Sequence, residues 1–175
     1  MSEHNNSLWS KAYFLYLGWG KLGECVDLLN AKVEQSGFKP TTIIGISRGG
    51  LGLASFLANY LQIQDFYVIS VKRNMSDKKF DRGQDARFEW LAPDPQPGVL
   101  AQKKILLVDD ISGDGGTLFL TVDILKEMGA SEIRTAVIAK NVNSRFDVDF
   151  HALTVDEWII FPWERLDTTK QIKEI

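Results

Sequence analysis

Leu22, Val26, Leu29 and Val33 recur at spacings of three and four, which lines one face of an α-helix, and Gly37 followed by Pro40 supplies the stop. Thr41–Ile46 (TTIIGI) is a short β-rich apolar run. After it come the polar quartet SRGG and a second helical stripe of Leu51, Ala54, Leu57, Ala58 and Leu61. Phe66–Val71 (FYVISV) predicts another strand. The stretch from 72 to 101 breaks the pattern, with charges of both signs, Gly83, Pro93, Pro95, Pro97 and Gly98, and no sustained period. It is long for a connection in a compact domain, which points to a functional flap or partial disorder. Periodicity returns with Lys103–Asp110 (KKILLVDD) as a strand, a glycine-rich turn, and a helix carrying Leu118, Val122 and Leu125 that Gly129 ends. Thr135–Lys140 (TAVIAK), Ala152–Val155 and Trp158–Trp163 (WIIFPW) add short strands.

Strands alternating with helices at this spacing predict an α/β fold with a doubly wound, mainly parallel sheet. Ligands in such sheets bind at the C-terminal strand ends, beside the point where strand order reverses. The three polar stretches SRGG, DDISGDGGT and Lys140 all fall at that edge.

The length of 175 residues fits one domain, 1–175. A net charge of −3 argues against a protein held on nucleic acid or anionic membrane by bulk electrostatics, while a local basic cluster could still hold one small anion. The single cysteine, Cys25, lies among Leu22, Val26 and Leu29 and reads as a core thiol in a reducing compartment. No apolar run reaches membrane-spanning length and the N-terminus lacks a signal pattern, so the cytoplasm is the expected location.

Asp109 and Asp110 close an aliphatic strand. Two acids alone read as caps or turn formers. The glycine-rich stretch after them changes that reading. Gly113, Gly115 and Gly116 leave backbone N–H groups open to an anion, and Thr117 begins a helix whose N-terminus favours phosphate. Two carboxylates beside such a cradle suit ribose hydroxyls and a Mg²⁺ ion, which takes few carboxylates plus water and substrate oxygens. The spacing is neither a P-loop nor a dinucleotide fingerprint.

The stretch Ile105–Leu120, with its Asp-Asp pair, small-residue turn and Thr-Leu, resembles the phosphoribosyl pyrophosphate signature of the type I phosphoribosyltransferases. Gly45–Leu51 (GISRGGL) resembles the pyrophosphate loop of their purine-salvage branch, the xanthine-guanine and hypoxanthine enzymes. Ala139–Lys140 and Asp156–Glu164 (DEWIIFPWE) resemble that branch's purine-binding end. The resemblance implies a single domain with a flexible flap at about 73–100 and a small C-terminal purine-binding hood at about 140–165. It implies transfer of a 5-phosphoribosyl group from phosphoribosyl pyrophosphate to a 6-oxopurine, with release of pyrophosphate, in a homodimer or homotetramer.

Carried over to this chain, the resemblance makes Ser47, Arg48 and Gly49 the pyrophosphate binders, with Lys72 able to meet the same phosphates. Asp109 and Asp110 would hold the ribose hydroxyls and Mg²⁺, and Ser112, Gly113, Gly115, Gly116 and Thr117 would line the phosphate. Lys140 would donate to the purine 6-oxo group, Trp158 would stack on the ring, and the backbone near Ile159 would read its edge. Trp163 reads as packing, and His4 and His151 as surface residues.

One departure stands out. The purine branch usually has an aspartate three residues after the acid pair, acting at the purine N7, and a phosphate-binding threonine next. Here those positions hold Gly113 and Asp114. Asp114 then takes over as the catalytic acid, or the enzyme works without one, or the domain binds a nucleotide or phosphoribosyl pyrophosphate in a regulatory role without turnover.

Overall fold

The computed structural model describes residues 14–73, 86–94 and 98–164. The elements are β1 (Phe14–Tyr16), α1 (Trp19–Gln35), β2 (Thr42–Ser47), α2 (Gly50–Tyr60), β3 (Phe66–Arg73), β4 (Ala86–Ala92), β5 (Lys104–Ser112), α3 (Gly116–Glu127), β6 (Glu132–Asn141), β7 (Phe150–Val155) and β8 (Trp158–Ile160). Six strands form one sheet in the order β4-β3-β2-β5-β6-β7. Every neighbouring pair is parallel except β3 with β4.

Near-continuous apolar runs suit central strands buried on both faces. Along β5 the alternation splits Leu106 and Val108 to one face, against Leu22, Val26, Leu53 and Leu57 of α1 and α2. Ile105 and Leu107 go to the other face, against Leu118 and Leu125 of α3. Cys25 lies buried in the first of these layers, as the sequence pattern implied, and burial pushes its thiol up.

The chain leaves β2 towards β3 on one side and β5 towards β6 and β7 on the other. The reversal therefore lies between β2 and β5, and it puts the C-terminal ends of those two strands side by side.

Two elements differ from the sequence pattern. The stretch from 72 to 101 contains β4, which pairs antiparallel with β3 from Val68↔Ala92 to Arg73↔Ala86, with a register shift between Ser70 and Val71. One part of the expected flap, Ala86–Ala92, is thus a strand paired with β3. Its period is weak because β4 is an edge strand with partners on one side, so little of it must be apolar. Residues 74–85 and 95–97 of that expected flap lie outside the described residues. The second difference is β1, which pairs with β8 in a separate two-stranded parallel sheet, Phe14 opposite Trp158. Three residues paired across most of the chain leave no local signal.

Candidate functional site

Ser47 ends β2, and the Ser47–Arg48 peptide bond is cis. Gly49 then caps α2 in an ordinary right-handed conformation. Its lack of a side chain is a matter of space: a Cβ at Gly49 would collide with the Asp110 carboxylate. A Cβ on Gly50 would run into the Val108 carbonyl and come within 2.7 Å of Asp109 Cα. The two glycines let α2 start directly against β5. That contact brings the SRGG loop and the acid pair together.

Strand alternation separates the two acids. Asp110 follows Leu106 and Val108 towards the α2 side, which is why it meets Gly49. Asp109 is buried, and its Oδ1 accepts the Asp110 backbone N–H at 2.9 Å. Both acids lie inside the nine-residue β5, which continues to Ser112, not at its end. Asp110 is pushed up to about 6, first by burial and then by the Glu164 carboxylate. Glu164 also accepts the Phe161 backbone N–H at 3.1 Å, which fixes it at the end of the segment carrying β8. The sequence pattern gave Glu164 no role. Its proximity to Asp110 spans more than fifty positions, and local pattern does not report such a contact.

The glycine turn after β5 has a shape of its own. Gly115 sits at φ +89°, a left-handed conformation that side chains rarely adopt, and a Cβ there would press on Phe146, 2.8 Å from its backbone nitrogen. Close packing by Phe146 thus accounts for this glycine independently of any anion. Asp114 Oδ1 accepts the Gly116 N–H at 2.9 Å. The carboxylate therefore caps the first amide of α3, at the helix end expected to receive phosphate. Thr117 lies in the first turn of that helix, and its carbonyl accepts Thr121 Oγ1 at 2.7 Å.

The Ser112 side chain is buried, and its hydroxyl lies 2.9 Å from Ser144 Oγ in the β6–β7 connection. Lys72 pairs with Glu89 of β4 at 2.9 Å, and a phosphate must compete for it. Lys72, with Ser70 donating at 2.9 Å, holds the Glu89 carboxyl below its ordinary range. Lys140 lies near the end of β6, opposite Ser112 in register, with Nζ 3.4 Å from Asp147 Oδ1. Trp158 is half-buried at the start of β8, and the side chain of the next residue, Ile159, is buried. Trp163, expected to pack, stacks on Phe161 with ring centroids 4.9 Å apart but stays exposed.

His151 is a correction: it is half-buried in β7, with Nε2 3.2 Å from Thr154 Oγ1, and burial lowers its pKa. His4 lies outside the described residues. A shallow hollow lined by Ser55, Asn59, Gln62 and Phe66 lies at the opposite strand edge and has no charged lining.

A loop with an arginine, a carboxylate pair and a glycine turn lie together at the reversal point of a parallel α/β sheet, the place where such folds bind ligands. The chain belongs to the phosphoribosyl transferase family, whose domain model matches residues 20–166. Among solved structures it is similar to a purine phosphoribosyltransferase from Pyrococcus horikoshii, with 31% identity and a TM-score of 0.69 over 86% of this chain and 93% of that one. It also shares the fold of the xanthine-guanine-hypoxanthine phosphoribosyltransferase of Helicobacter pylori, at 20% identity and a TM-score of 0.73 over 91% and 99% of the two chains. A transcriptional regulator, GfcR, from Methanococcoides burtonii is 29% identical over 118 residues, 67% of this chain. The chain spans only 54% of that regulator's length, about half. Among the described residues no helix is long and apolar enough to cross a membrane.

Proposed function

We propose that this chain is a single phosphoribosyltransferase domain that transfers 5-phosphoribosyl from phosphoribosyl pyrophosphate to a 6-oxopurine, as a homo-oligomer in the cytoplasm. The observation that carries the reading is the contact between Gly49 and Asp110, which joins the SRGG loop to the acid pair at the sheet's reversal point. Similarity to the Pyrococcus purine phosphoribosyltransferase supports the choice of acceptor.

In the proposed reaction a purine nitrogen forms a bond to the anomeric carbon, the bond from that carbon to the pyrophosphate oxygen breaks, and the purine's proton passes to water, or to Asp114 where that residue acts as the base. Arg48 and the amides around Gly49 bind the departing pyrophosphate. Two adjacent carboxylates, with the Glu164 carboxylate near the second, fit Mg²⁺, which takes few carboxylates and keeps water and substrate oxygens as its other ligands. Held by Asp109 and Asp110, that ion would neutralise the leaving group's charge. Lys140 donates to the 6-oxo group, and Trp158 offers its ring face to the base.

Arg48→Ala is expected to weaken phosphoribosyl pyrophosphate binding by about 2–3 kcal/mol, the range of a charge-assisted contact, without lowering the melting temperature, because Arg48 is exposed. Titration calorimetry checks the first part and thermal melting the second. Normal binding by the variant overturns the assignment of this loop.

A second reading rests on Asp114. Its carboxylate sits on the α3 amide where a phosphate would dock, and the family's usual acid is replaced by Gly113. Both features suit a domain that binds a nucleotide or phosphoribosyl pyrophosphate without turnover, and the similarity to GfcR is in keeping with a regulatory role. Asp114→Asn separates the readings, since the amide oxygen still caps Gly116 but the charge is gone. With Asp114 as a cap only, nucleotide affinity is expected to rise about fivefold, the relief of about 1 kcal/mol between like charges at roughly 4 Å in water, with turnover little changed. A fall in turnover of about 10²–10⁴-fold would make Asp114 the base. A screen with phosphoribosyl pyrophosphate, Mg²⁺ and each free purine tests the activity directly. No turnover with any purine leaves the second reading.

A further inference from the structure

The connection from β6 to β7 (residues 142–149) is held at four points against the end of β5, the glycine turn after it and the first turn of α3. Ser144 Oγ lies 2.9 Å from the buried Ser112 Oγ. The Arg145 backbone N–H donates to the Asp114 carbonyl at 3.1 Å. Phe146 closes over Gly115, and its ring meets Phe119 of α3 edge-on, with centroids 4.9 Å apart. The connection is itself anchored: Asn143 N–H donates to Asn141 Oδ1 at 2.8 Å, and Ser144 N–H to the Asn141 carbonyl at 2.9 Å. Val148 is buried in the α3-side layer.

From these contacts we infer that Ser144 and Phe146 are positioning residues for the Gly113–Gly116 turn, setting the direction of its amides towards the 5′-phosphate. The inference rests on the phosphoribosyl-binding function proposed above. A turn made of glycines and one aspartate has little shape of its own, because glycine samples both signs of φ. Recognition of an anion by backbone N–H groups requires those groups to be fixed beforehand, and a loose turn loses affinity to ordering entropy. Ser144 supplies the partner of a hydroxyl that is otherwise buried without one, and Phe146 blocks the space into which Gly115 could relax. Both residues act through the turn.

The test is calorimetric titration with ribose 5-phosphate and, separately, with inorganic pyrophosphate, each with Mg²⁺. Ribose 5-phosphate requires the glycine turn, whereas pyrophosphate requires the SRGG loop. Ser144→Ala and Phe146→Leu are each expected to weaken ribose 5-phosphate about tenfold while leaving pyrophosphate affinity unchanged, and Ser144→Thr, which keeps the hydroxyl, is expected to restore most of the loss. Unchanged pyrophosphate affinity also shows that the variants are folded. If the wild type binds both ligands and the variants weaken both equally, or neither, the positioning role is overturned. If the wild type binds pyrophosphate but not ribose 5-phosphate, the turn is not a phosphate site and this inference falls alone. A wild type that binds neither overturns the proposed function, and this inference with it.

Discussion

Replacing Asp109 and Asp110 together by asparagine is expected to abolish Mg²⁺-dependent affinity for phosphoribosyl pyrophosphate, a loss of about 10²–10⁴-fold from two charge-assisted contacts of about 1.5–3 kcal/mol each. Titration with and without Mg²⁺ reads it. A variant that keeps its Mg²⁺ dependence would remove these acids from the site. Stability is expected to move the other way. Burial and Glu164 raise Asp110 from 3.8 to about 6, so the folded protein holds this proton more tightly than the unfolded chain does. Stability is therefore lost as pH rises from about 4 to about 6, and the loss is complete above that, of order 3 kcal/mol. Asp110→Asn has no such proton to lose. In chelator-treated protein it is expected to melt higher than wild type at pH 7.5, with the difference vanishing below about pH 4. A constant difference at every pH would mean that Asp110 is not the group responsible.

Alanine at Gly49 and alanine at Gly50 are expected to fail in different ways. At Gly49 the new methyl meets the end of a side chain, the Asp110 carboxylate, which can rotate away. Folding is expected to survive, while Mg²⁺-dependent affinity for phosphoribosyl pyrophosphate falls by at least about tenfold, because the carboxylate is displaced. At Gly50 the methyl meets the backbone of Val108 and Asp109 in a central strand, which cannot move without breaking the ladder to β2 and β6. Overpacking there is expected to cost about 3 kcal/mol, read as a lowered denaturation midpoint. Equal and small effects at both positions would mean that the start of α2 does not press on β5. Neither glycine has a left-handed backbone, so the expectation rests on space alone.

The pattern of apolar positions determined the three helices and the five strands buried between them, because a helical stripe or a buried strand is written in a short window. It also determined that SRGG, the acid pair and Lys140 share one edge, since alternating strands and helices fix which ends lie together. The antiparallel arm β4 was hidden, because an edge strand satisfies half its backbone groups in the sheet and needs little apolar surface. The β1–β8 pair was hidden because three residues carry no period, and the partner of Phe14 lies at Trp158.

In the site, residue types and spacing indicated carboxylates, glycines and a basic loop, which is a statement about chemistry. Only the tertiary structure decided what each one faces. Strand alternation sends Asp110 to Gly49 and keeps Asp109 buried. Glu164 enters from the far end of the chain. Ser112 turns inward to Ser144, and Asp114 turns back on Gly116. These contacts join residues brought together by the sheet or by a local turn, and their distances depend on packing that a one-dimensional pattern does not contain.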